Sequence, residues 1–360
     1  MKIAQVCPRY YPDIGGVETH VQEISERLVK RGFEVEVVCT DPAGILRRHE
    51  MINGVTVTRF RSFAPGEAYY IAPQIYFYLK EQSYDLVHAH SYHALPALFA
   101  ALAKNGRRMV FTPHYHRSGH TFIRDVLHKP YRLIGSGIFE KADKVICVSE
   151  HERRKVTQDF NLPEGKVKVI PNGLDLEEFK NTGYGRKDDS KGTLLYVGRL
   201  EEYKGVQHII NALPLLRDSR LEIIGHGPYE PSLRKLAEKL LVTERINWYK
   251  QMTREELLRH YASADVFIML SRHEAYGITV AEALASGTPC IVAAGSALDE
   301  FTDGKRCLGI EAPVTTDKLA KAIRQLRESR IKDDMKIENL PIHDWNDVTD
   351  KLIEVYRSIQ

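Results

Sequence analysis

Two carboxylates, Glu274 and Glu282, frame the stretch Ser271-Arg-His-Glu-Ala-Tyr-Gly-Ile-Thr-Val-Ala-Glu-Ala-Leu-Ala-Ser-Gly-Thr-Pro-Cys290. The apolar run Val266 to Leu270 before it reads as a buried parallel strand. Ile278 to Ala285 then reads as a helix stopped by Gly287 and Pro289, and Cys290 to Ala294 as the next strand. Glu274 is thereby placed on a strand-to-helix loop and Glu282 inside the helix which that loop feeds. Gly277 opens the helix and leaves backbone N–H groups free to meet an anion. One carboxylate beside an anion site and another about a turn deeper can hold different hydroxyls of one long polar ligand. The plainer alternative is a helix cap and a solvated helix face.

A second group of polar residues falls at strand ends. Leu194–Val197 is a strand pattern that runs into Gly198-Arg-Leu-Glu-Glu-Tyr-Lys-Gly205. A guanidinium at Arg199 and an ammonium at Lys204, converging near one point, suit a pyrophosphate. Gly225-His-Gly-Pro228 is a further glycine-rich loop after a strand run, and Gly15-Gly16 opens a helix just after the first strand. Bare amides at such places allow a phosphate to approach closely.

His88-Ala-His90 closes one strand and His114-Tyr-His116 follows another. Alternate strand residues share a face, so the pairs invite comparison with zinc sites. Neighbouring carboxylate or cysteine ligands are missing from the local sequence, which favours neutral, hydrogen-bonding imidazoles and no metal site. The chain contains no Asp-x-Asp, one common means of holding Mg²⁺ or Mn²⁺ against a diphosphate.

The elements that must position these residues alternate along the chain. Ile3–Cys7, Val35–Cys39, Val55–Phe60, Leu86–His90, Met109–Thr112, Val145–Val148 and Val167–Ile170 read as strands, separated by helical patterns such as Val17–Lys30 and Ala94–Lys104. Pro171-Asn-Gly173 reads as a turn, and Leu174 to Gly192 as a linker. The alternation then restarts, with strands at Leu194–Val197, Leu221–Ile224, Ile246–Tyr249, Val266–Leu270 and Cys290–Ala294. Helices are expected over Pro231–Leu241, Arg254–Tyr261 and Thr316–Ser329. The fold class is α/β: two Rossmann-like, doubly wound domains facing a cleft, with ligands outside the carboxyl ends of the strands.

Composition sets outer bounds. A chain of 360 residues that is 43% hydrophobic and 28% charged has room for two globular cores. A net charge of +3 does not argue for nucleic acid as a partner. The five cysteines include no Cys-x-x-Cys pair, and Cys39, Cys147 and Cys290 fall in apolar strand runs, as reduced core residues of a cytoplasmic protein do. The first residues lack the basic start and apolar core of a signal peptide, and Ala94 to Ala103, the longest apolar stretch, is too short to cross a bilayer.

Taken together these residues resemble the family-4 glycosyltransferases, retaining enzymes of the B-type glycosyltransferase fold (glycosyl transferases group 1). The resemblance rests on Gly15-Gly-Val-Glu18, Asp85-Leu-Val-His-Ala-His90, Thr112-Pro-His114, Pro171-Asn-Gly-Leu-Asp175, Gly198-Arg-Leu200, Lys204-Gly205, Gly225-His-Gly-Pro228, Glu274-Ala-Tyr-Gly277 and Glu282-Ala-Leu284. It implies an N-terminal, acceptor-side domain over 1–180 and a C-terminal, nucleotide-sugar-binding domain over 192–340. The last helix, 344–360 and following His343-Asp-Trp345, would cross back onto the first domain.

The resemblance also implies roles. Arg199 and Lys204 would hold the donor diphosphate, beside the glycine loops of Gly198, Gly225 and Gly227. Glu274 would bind a hydroxyl of the donor sugar, assisted by backbone N–H groups over Ala275, Tyr276, Gly277 and Ile278. Glu282 would take the ribose hydroxyls. His114 would line the sugar pocket, and Gly15 and Gly16 would lie against the phosphates and acceptor. The implied substrates are a nucleoside diphosphate sugar (UDP-sugar first, GDP-sugar next) and a saccharide or lipid-linked acceptor, with no metal cofactor.

Two places depart from the family pattern. Trp248-Tyr-Lys250 stands where an aromatic–small–Gly turn usually contacts the base, and Gly295-Ser-Ala-Leu-Asp-Glu300 keeps one glycine where two are common. The competing readings are a nucleotide-sugar 2-epimerase of the same fold, a metal-dependent hydrolase built on the paired histidines, and a non-catalytic nucleotide-sugar-binding protein. Between His116 and Ile134, Arg117, Arg124, Lys129 and Arg132 are mixed with Phe122, Ile123, Leu127, Tyr131 and Leu133. This mixture suits peripheral contact with anionic lipid at the inner face of a membrane, the alternative being an ordinary amphipathic helix pair.

Overall fold

The computed structural model of the protein describes residues 1–116, 135–180, 192–328 and 340–360. The chain divides into two compact units, Met1–Gly173 with Trp345–Gln360, and Leu174–Asp344.

The first unit is built on an eight-stranded sheet. Its strands are β1 (Lys2–Val6), β2 (Glu34–Asp41), β3 (His49–Ile52), β4 (Val55–Arg61), β5 (Leu86–His90), β6 (Arg108–Thr112), β7 (Lys144–Cys147) and β8 (Val167–Val169). Their order across the sheet is β3-β4-β2-β1-β5-β6-β7-β8, parallel throughout except for the β3–β4 pair. Strand β3 went unread in the sequence because His49-Glu-Met-Ile52 is short and polar, and it sits at the sheet edge with no fully buried residue.

Alternation along the strands feeds two apolar layers. Ala4 and Val6 of β1, with Val87 and Ala89 of β5, pack with Ala97, Ala101 and Phe111 on one face. Ile3, Cys7 and Leu86 turn to the other face, against Val21, Ile24 and Leu28 of the helix Gly16–Lys30. The same period of two sends Gln5, His88 and His90 into this second layer, where all three are fully buried. The layer is completed by the helix Trp345–Ser358, whose Trp345, Val348, Leu352 and Tyr356 form one buried stripe. That helix packs on Gly16–Lys30, and Arg31 Nε donates to Asp350 Oδ1 at 2.7 Å. Each such aliphatic or aromatic side chain contributes about 1.5–3 kcal/mol by leaving water.

Two local readings of the segment after residue 170 need correction. Gly173–Leu174 forms a short strand, β9, where a turn is expected, and Leu176–Lys180 is a helix where only linker is expected. Glycine and asparagine were read as turn residues, yet Gly173 is glycine for space: a Cβ there would meet the Trp345 backbone nitrogen at 2.7 Å.

The second unit carries a six-stranded sheet. Its strands are β10 (Thr193–Val197), β11 (Arg220–Ile224), β12 (Ile246–Tyr249), β13 (Val266–Met269), β14 (Cys290–Ala293) and β15 (Cys307–Ile310). The order is β12-β11-β10-β13-β14-β15, with every neighbouring pair parallel. The four-residue β15, interrupted by Gly309, carries too little apolar pattern to have been read. Helices run over Val206–Ala212, Glu230–Lys239, Arg254–Ser263, Ile278–Ala285 and Thr316–Glu328.

In each sheet the strand order reverses once beside the first strand, between β1 and β5 and between β10 and β13. Connections leave such neighbours in opposite directions and open a crevice at their carboxyl ends. Gly15-Gly16 lies after β1, His88 and His90 at the end of β5, and His114 and His116 after β6. Arg199, Lys204 and Glu274 lie after β10 and β13.

Candidate functional site

In the second unit, Lys204 and Glu274 meet at the β10–β13 reversal. Lys204 ends a single 3₁₀ turn, Glu202–Lys204, that follows β10, and Glu274 lies on the loop that follows β13. The Lys204 Nζ to Glu274 Oε1 distance is 2.5 Å, and both side chains are mostly buried. Burial works to lower the Lys204 pKa, but the adjoining Glu274 carboxylate outweighs it and the net shift is upward. Backbone contacts hold the two loops: Arg272 N donates to Tyr203 O at 3.1 Å, and the Tyr196 hydroxyl donates to Arg199 O at 2.7 Å. Arg199 behaves differently. Its side chain is 49% exposed and lies 3.2 Å from Glu201.

The loop Ala275–Gly277 leads into the helix Ile278–Ala285. Gly277 has φ 110°, and a Cβ there would meet Leu298 Cδ2 at 2.4 Å, so both conformation and space require glycine. Ala275 and Ile278 are half-buried, and Tyr276 is buried with its ring against Phe301 at 5.3 Å. Burial raises the Tyr276 hydroxyl pKa. Gly225, with φ 141°, brings its backbone so close to Gly198 that a Cβ would lie 2.0 Å from the Gly198 carbonyl oxygen. Gly227 is packed in the same way against Leu200.

Glu282 is buried in the middle of its helix and is not alone there. Arg254 Nη1 donates to its Oε1, and the Tyr261 hydroxyl donates to its Oε2 at 2.9 Å. Arg254 Nε also donates to Glu178 at 2.9 Å. Burial would lower the Arg254 pKa, and the Glu282 and Glu178 carboxylates turn the shift upward. Arg254, Tyr261 and Glu178 were not singled out in the sequence. Arg254 and Tyr261 are seven apart on one helix, which puts them on one face, and that spacing was the available signal. The helix starts where it does because Thr253 and Glu256 form a reciprocal capping box.

In the first unit, histidines gather at the β1–β5 reversal. His114 lies just past β6 with φ 47°, in the left-handed region that costs a non-glycine residue energy. It meets not only His90 (ring centroids 6.1 Å apart) but also His20 (5.1 Å), which the sequence reading left out. His20 lies on the buried face of Gly16–Lys30, one turn past Gly16. Its Nδ1 is 2.8 Å from Asn172 Oδ1, and His90 Nε2 is 2.8 Å from Gln5 Oε1. His88 is satisfied at both nitrogens, by the Tyr356 hydroxyl at 2.7 Å and the Thr112 hydroxyl at 2.8 Å. Desolvation holds the pKa values of His88, His90 and His114 well below the ordinary value and lowers that of His20 to about 4. Burial thus favours the uncharged form of these rings. His116 turns away to stack on His93, at 4.0 Å. Gly15 caps the helix in extended conformation, and a Cβ on Gly16 would meet nothing within 4 Å.

At the two departures from the family pattern, Trp248 lies under the Arg234 guanidinium at 4.4 Å, and Gly295 N donates to Asp299 Oδ2 at 3.0 Å. The basic and apolar stretch with Arg117, Arg124, Lys129 and Arg132 lies outside the described residues. Among the described residues no helix is long and apolar enough to cross a membrane.

Two parallel sheets, each with its polar residues at a strand-order reversal, define the class: a B-type glycosyltransferase fold. An Anabaena protein solved in complex with UDP-glucose superposes with a TM-score of 0.76 over 99% of this chain and 100% of its own, at 18% identity. The Glycosyltransferase Family 4 model matches residues 14–178, and the Glycosyl transferases group 1 model matches residues 179–341. An uncharacterized glycosyltransferase of Methanocaldococcus jannaschii is 32% identical over 84% of this chain and 82% of its own length. A relative from Xanthomonas campestris, named GDP-mannose:cellobiosyl-diphosphopolyprenol alpha-mannosyltransferase, is 26% identical over 80% of this chain and 77% of its own. The chain belongs to the glycosyltransferase family 4, group 1 glycosyltransferases.

Proposed function

We propose that this glycosyltransferase transfers a hexosyl unit from a nucleoside diphosphate sugar with retention of configuration and without a metal ion. The observation that carries the reading is the buried Lys204–Glu274 pair at the β10–β13 reversal, at hydrogen-bonding distance and one loop away from the Gly277 helix start. A cation and a carboxylate fixed side by side suit a ligand whose anionic diphosphate is joined directly to a hydroxyl-rich sugar. Lys204 and Arg199 take the diphosphate, with Gly198, Gly225 and Gly227 as the close backbone. Glu274 takes a sugar hydroxyl, with the amides of Ala275 to Ile278 beside it. Glu282, pre-oriented by Arg254 and Tyr261, takes the ribose. Gly15, Gly16 and His114 keep the roles that the family resemblance implies.

In the reaction the bond from the anomeric carbon to the diphosphate oxygen breaks, and negative charge grows on the leaving phosphate. Two cations and helix-end amides stabilise that charge without a metal. The acceptor hydroxyl bonds to the anomeric carbon on the face just vacated, and its proton passes to the departing phosphate oxygen. No enzyme carboxylate then needs to act as nucleophile.

UDP-sugar is the first choice of donor and GDP-sugar the second, with a saccharide or lipid-linked acceptor. The Anabaena neighbour was solved with UDP-glucose, and the Xanthomonas relative's name carries GDP-mannose and a diphosphopolyprenol. The test is nucleotide release across a panel of UDP- and GDP-sugars, with saccharide and polyprenol-linked acceptors, and assignment of the product anomer by NMR. Release from one donor with a retained anomer is the expected result. An inverted anomer overturns the mechanism, and no release from any donor overturns the reading.

A further inference from the structure

Among the described residues of the first unit, the second apolar layer holds three buried imidazole nitrogens that have no hydrogen-bond partner: His20 Nε2, His90 Nδ1 and His114 Nε2. They belong to three different elements: the helix Gly16–Lys30, the end of β5, and the residue just beyond Pro113 after β6. The three rings nevertheless offer ligand atoms that all lie within 4.8 Å of one another. A lone unsatisfied ring nitrogen in a core is a local cost; three of them on rings whose ligand atoms lie this close share a single explanation.

The surrounding hydrogen bonds set which nitrogens carry lone pairs. Asn172 Oδ1 can only accept, so His20 must donate from Nδ1, and its Nε2 is left as a bare lone pair. Gln5 Oε1 likewise can only accept, so His90 donates from Nε2 and presents a bare Nδ1. The Gln5 orientation is itself held, because its Nε2 donates to the Tyr356 hydroxyl at 3.2 Å. For His20 and His90, an amide oxygen that fixes the tautomer and leaves the other nitrogen with a lone pair is the outer shell of a metal-ligating histidine. His88, with both nitrogens satisfied, belongs to the supporting network and not to the group.

We propose that His20, His90 and His114 form a binding site for one divalent ion of the zinc type. Three neutral nitrogens suit Zn²⁺ and its neighbours and do not suit Mg²⁺ or Ca²⁺, which need oxygen. Three protein ligands leave a fourth position for water. His114 is the least buried of the three and lies at the carboxyl edge of the sheet, so the ion enters from that side. The inference stands apart from the glycosyl-transfer reading, because none of its ligands lies in the second unit. Where both hold, a bound ion occupies the His114 nitrogen meant for the sugar, which makes it an inhibitor and not a cofactor.

In the sequence, the pairs His88/His90 and His114/His116 lack neighbouring carboxylate or cysteine ligands, which told against zinc. The group formed in space takes one member of each pair and adds His20.

The test is titration of the full, chelator-stripped chain with Co²⁺ and then Zn²⁺. The expected result is one Co²⁺ per chain with visible d–d bands of a nitrogen and oxygen field, no thiolate band in the near ultraviolet, and displacement by Zn²⁺. Zn²⁺ also raises the thermal midpoint, as a ligand of the folded state does. His114→Ala and His20→Gln each abolish the bands, and Asn172→Ala, which touches no metal, weakens Zn²⁺ affinity about tenfold or more by freeing the tautomer of His20. His93→Ala, outside the group, leaves binding unchanged. Thermal midpoints without metal check that each variant folds; should His20→Gln unfold, His114→Ala and Asn172→Ala decide alone. Absence of Co²⁺ bands in the wild type, bands that persist in His114→Ala, or wild-type affinity in Asn172→Ala overturns the site.

Discussion

The Lys204 ammonium is held 2.5 Å from the Glu274 carboxylate, 70 residues further along the chain. The pair joins the loops after β10 and β13, where the strand order of the second sheet reverses. Each partner is the other's counter-ion, so truncating one leaves a mostly buried charge without compensation.

Lys204→Ala is therefore expected to lower both activity and stability. The activity loss, about 1.5–3 kcal/mol in kcat/KM, reflects a missing charge-assisted hydrogen bond to the diphosphate. The stability loss, about 1–3 kcal/mol by urea unfolding, reflects the stranded Glu274. The double variant Lys204→Ala/Glu274→Ala should recover part of the stability and none of the activity. Activity within twofold of wild type would show that the diphosphate binds elsewhere.

Arg199→Ala separates the two effects. Its half-exposed pair with Glu201 is worth less than about 1 kcal/mol, so folding stability should be nearly unchanged. The expected kcat/KM loss is again about 1.5–3 kcal/mol. Wild-type kinetics in this variant would leave Lys204 as the sole cation on the phosphates.

Glu282→Ala should weaken binding of the free nucleoside diphosphate, measured by calorimetry. Tyr261→Phe removes the 2.9 Å hydrogen bond to Glu282 Oε2 and should weaken the same affinity less, by about 0.5–1.5 kcal/mol. If neither variant changes nucleotide affinity, Glu282 serves only the ion pair with Arg254.

Turnover with the correct donor should survive chelator treatment. Loss of turnover with chelator and its return with Mg²⁺ or Mn²⁺ would sink the metal-independent mechanism. Stimulation by chelator would fit an inhibitory ion at the three histidines.

Stability should fall with acid in the window set by the buried histidines. His20 has its pKa depressed from 6.5 to about 4, and His88, His90 and His114 are depressed as well. Below pH 6.5 the unfolded chain binds protons that the folded chain refuses. The contribution of each ring is thus full above that pH and declines toward its folded value, at about 1.4 kcal/mol per pH unit. Urea unfolding at pH 7 and pH 5 should differ by about 2 kcal/mol for His20 alone, and His20→Gln should flatten the slope. Equal stability at the two pH values would mean that these rings are hydrated in the folded state.

Much of the architecture was legible because both sheets are almost wholly parallel and their central strands are buried on two faces. Such strands are written as short, nearly continuous apolar runs, so Leu86–His90, Ile246–Tyr249 and the helix Ile278–Ala285 could be read with their ends in place. Strands β3 and β15 escaped because an edge strand with half-wet faces, or one interrupted by glycine, carries no such run. The positions of Glu274 on a loop and Glu282 in a helix were also local matters, set by glycine and proline around an apolar segment.

What the sequence by itself determined, then, is which residues stand at the carboxyl ends of strands, because period and punctuation are properties of neighbours in the chain. Which of those residues touch was decided only by the tertiary structure. His20 and His90, 70 positions apart in sequence, have ring centroids 5.4 Å apart, and Arg254 was joined to Glu282 and Glu178 from both directions along the chain. Such contacts follow from strand order across a sheet and from a last helix that returns to Gly16–Lys30. Both arise from burying apolar layers over the whole unit, and no window of the sequence contains them.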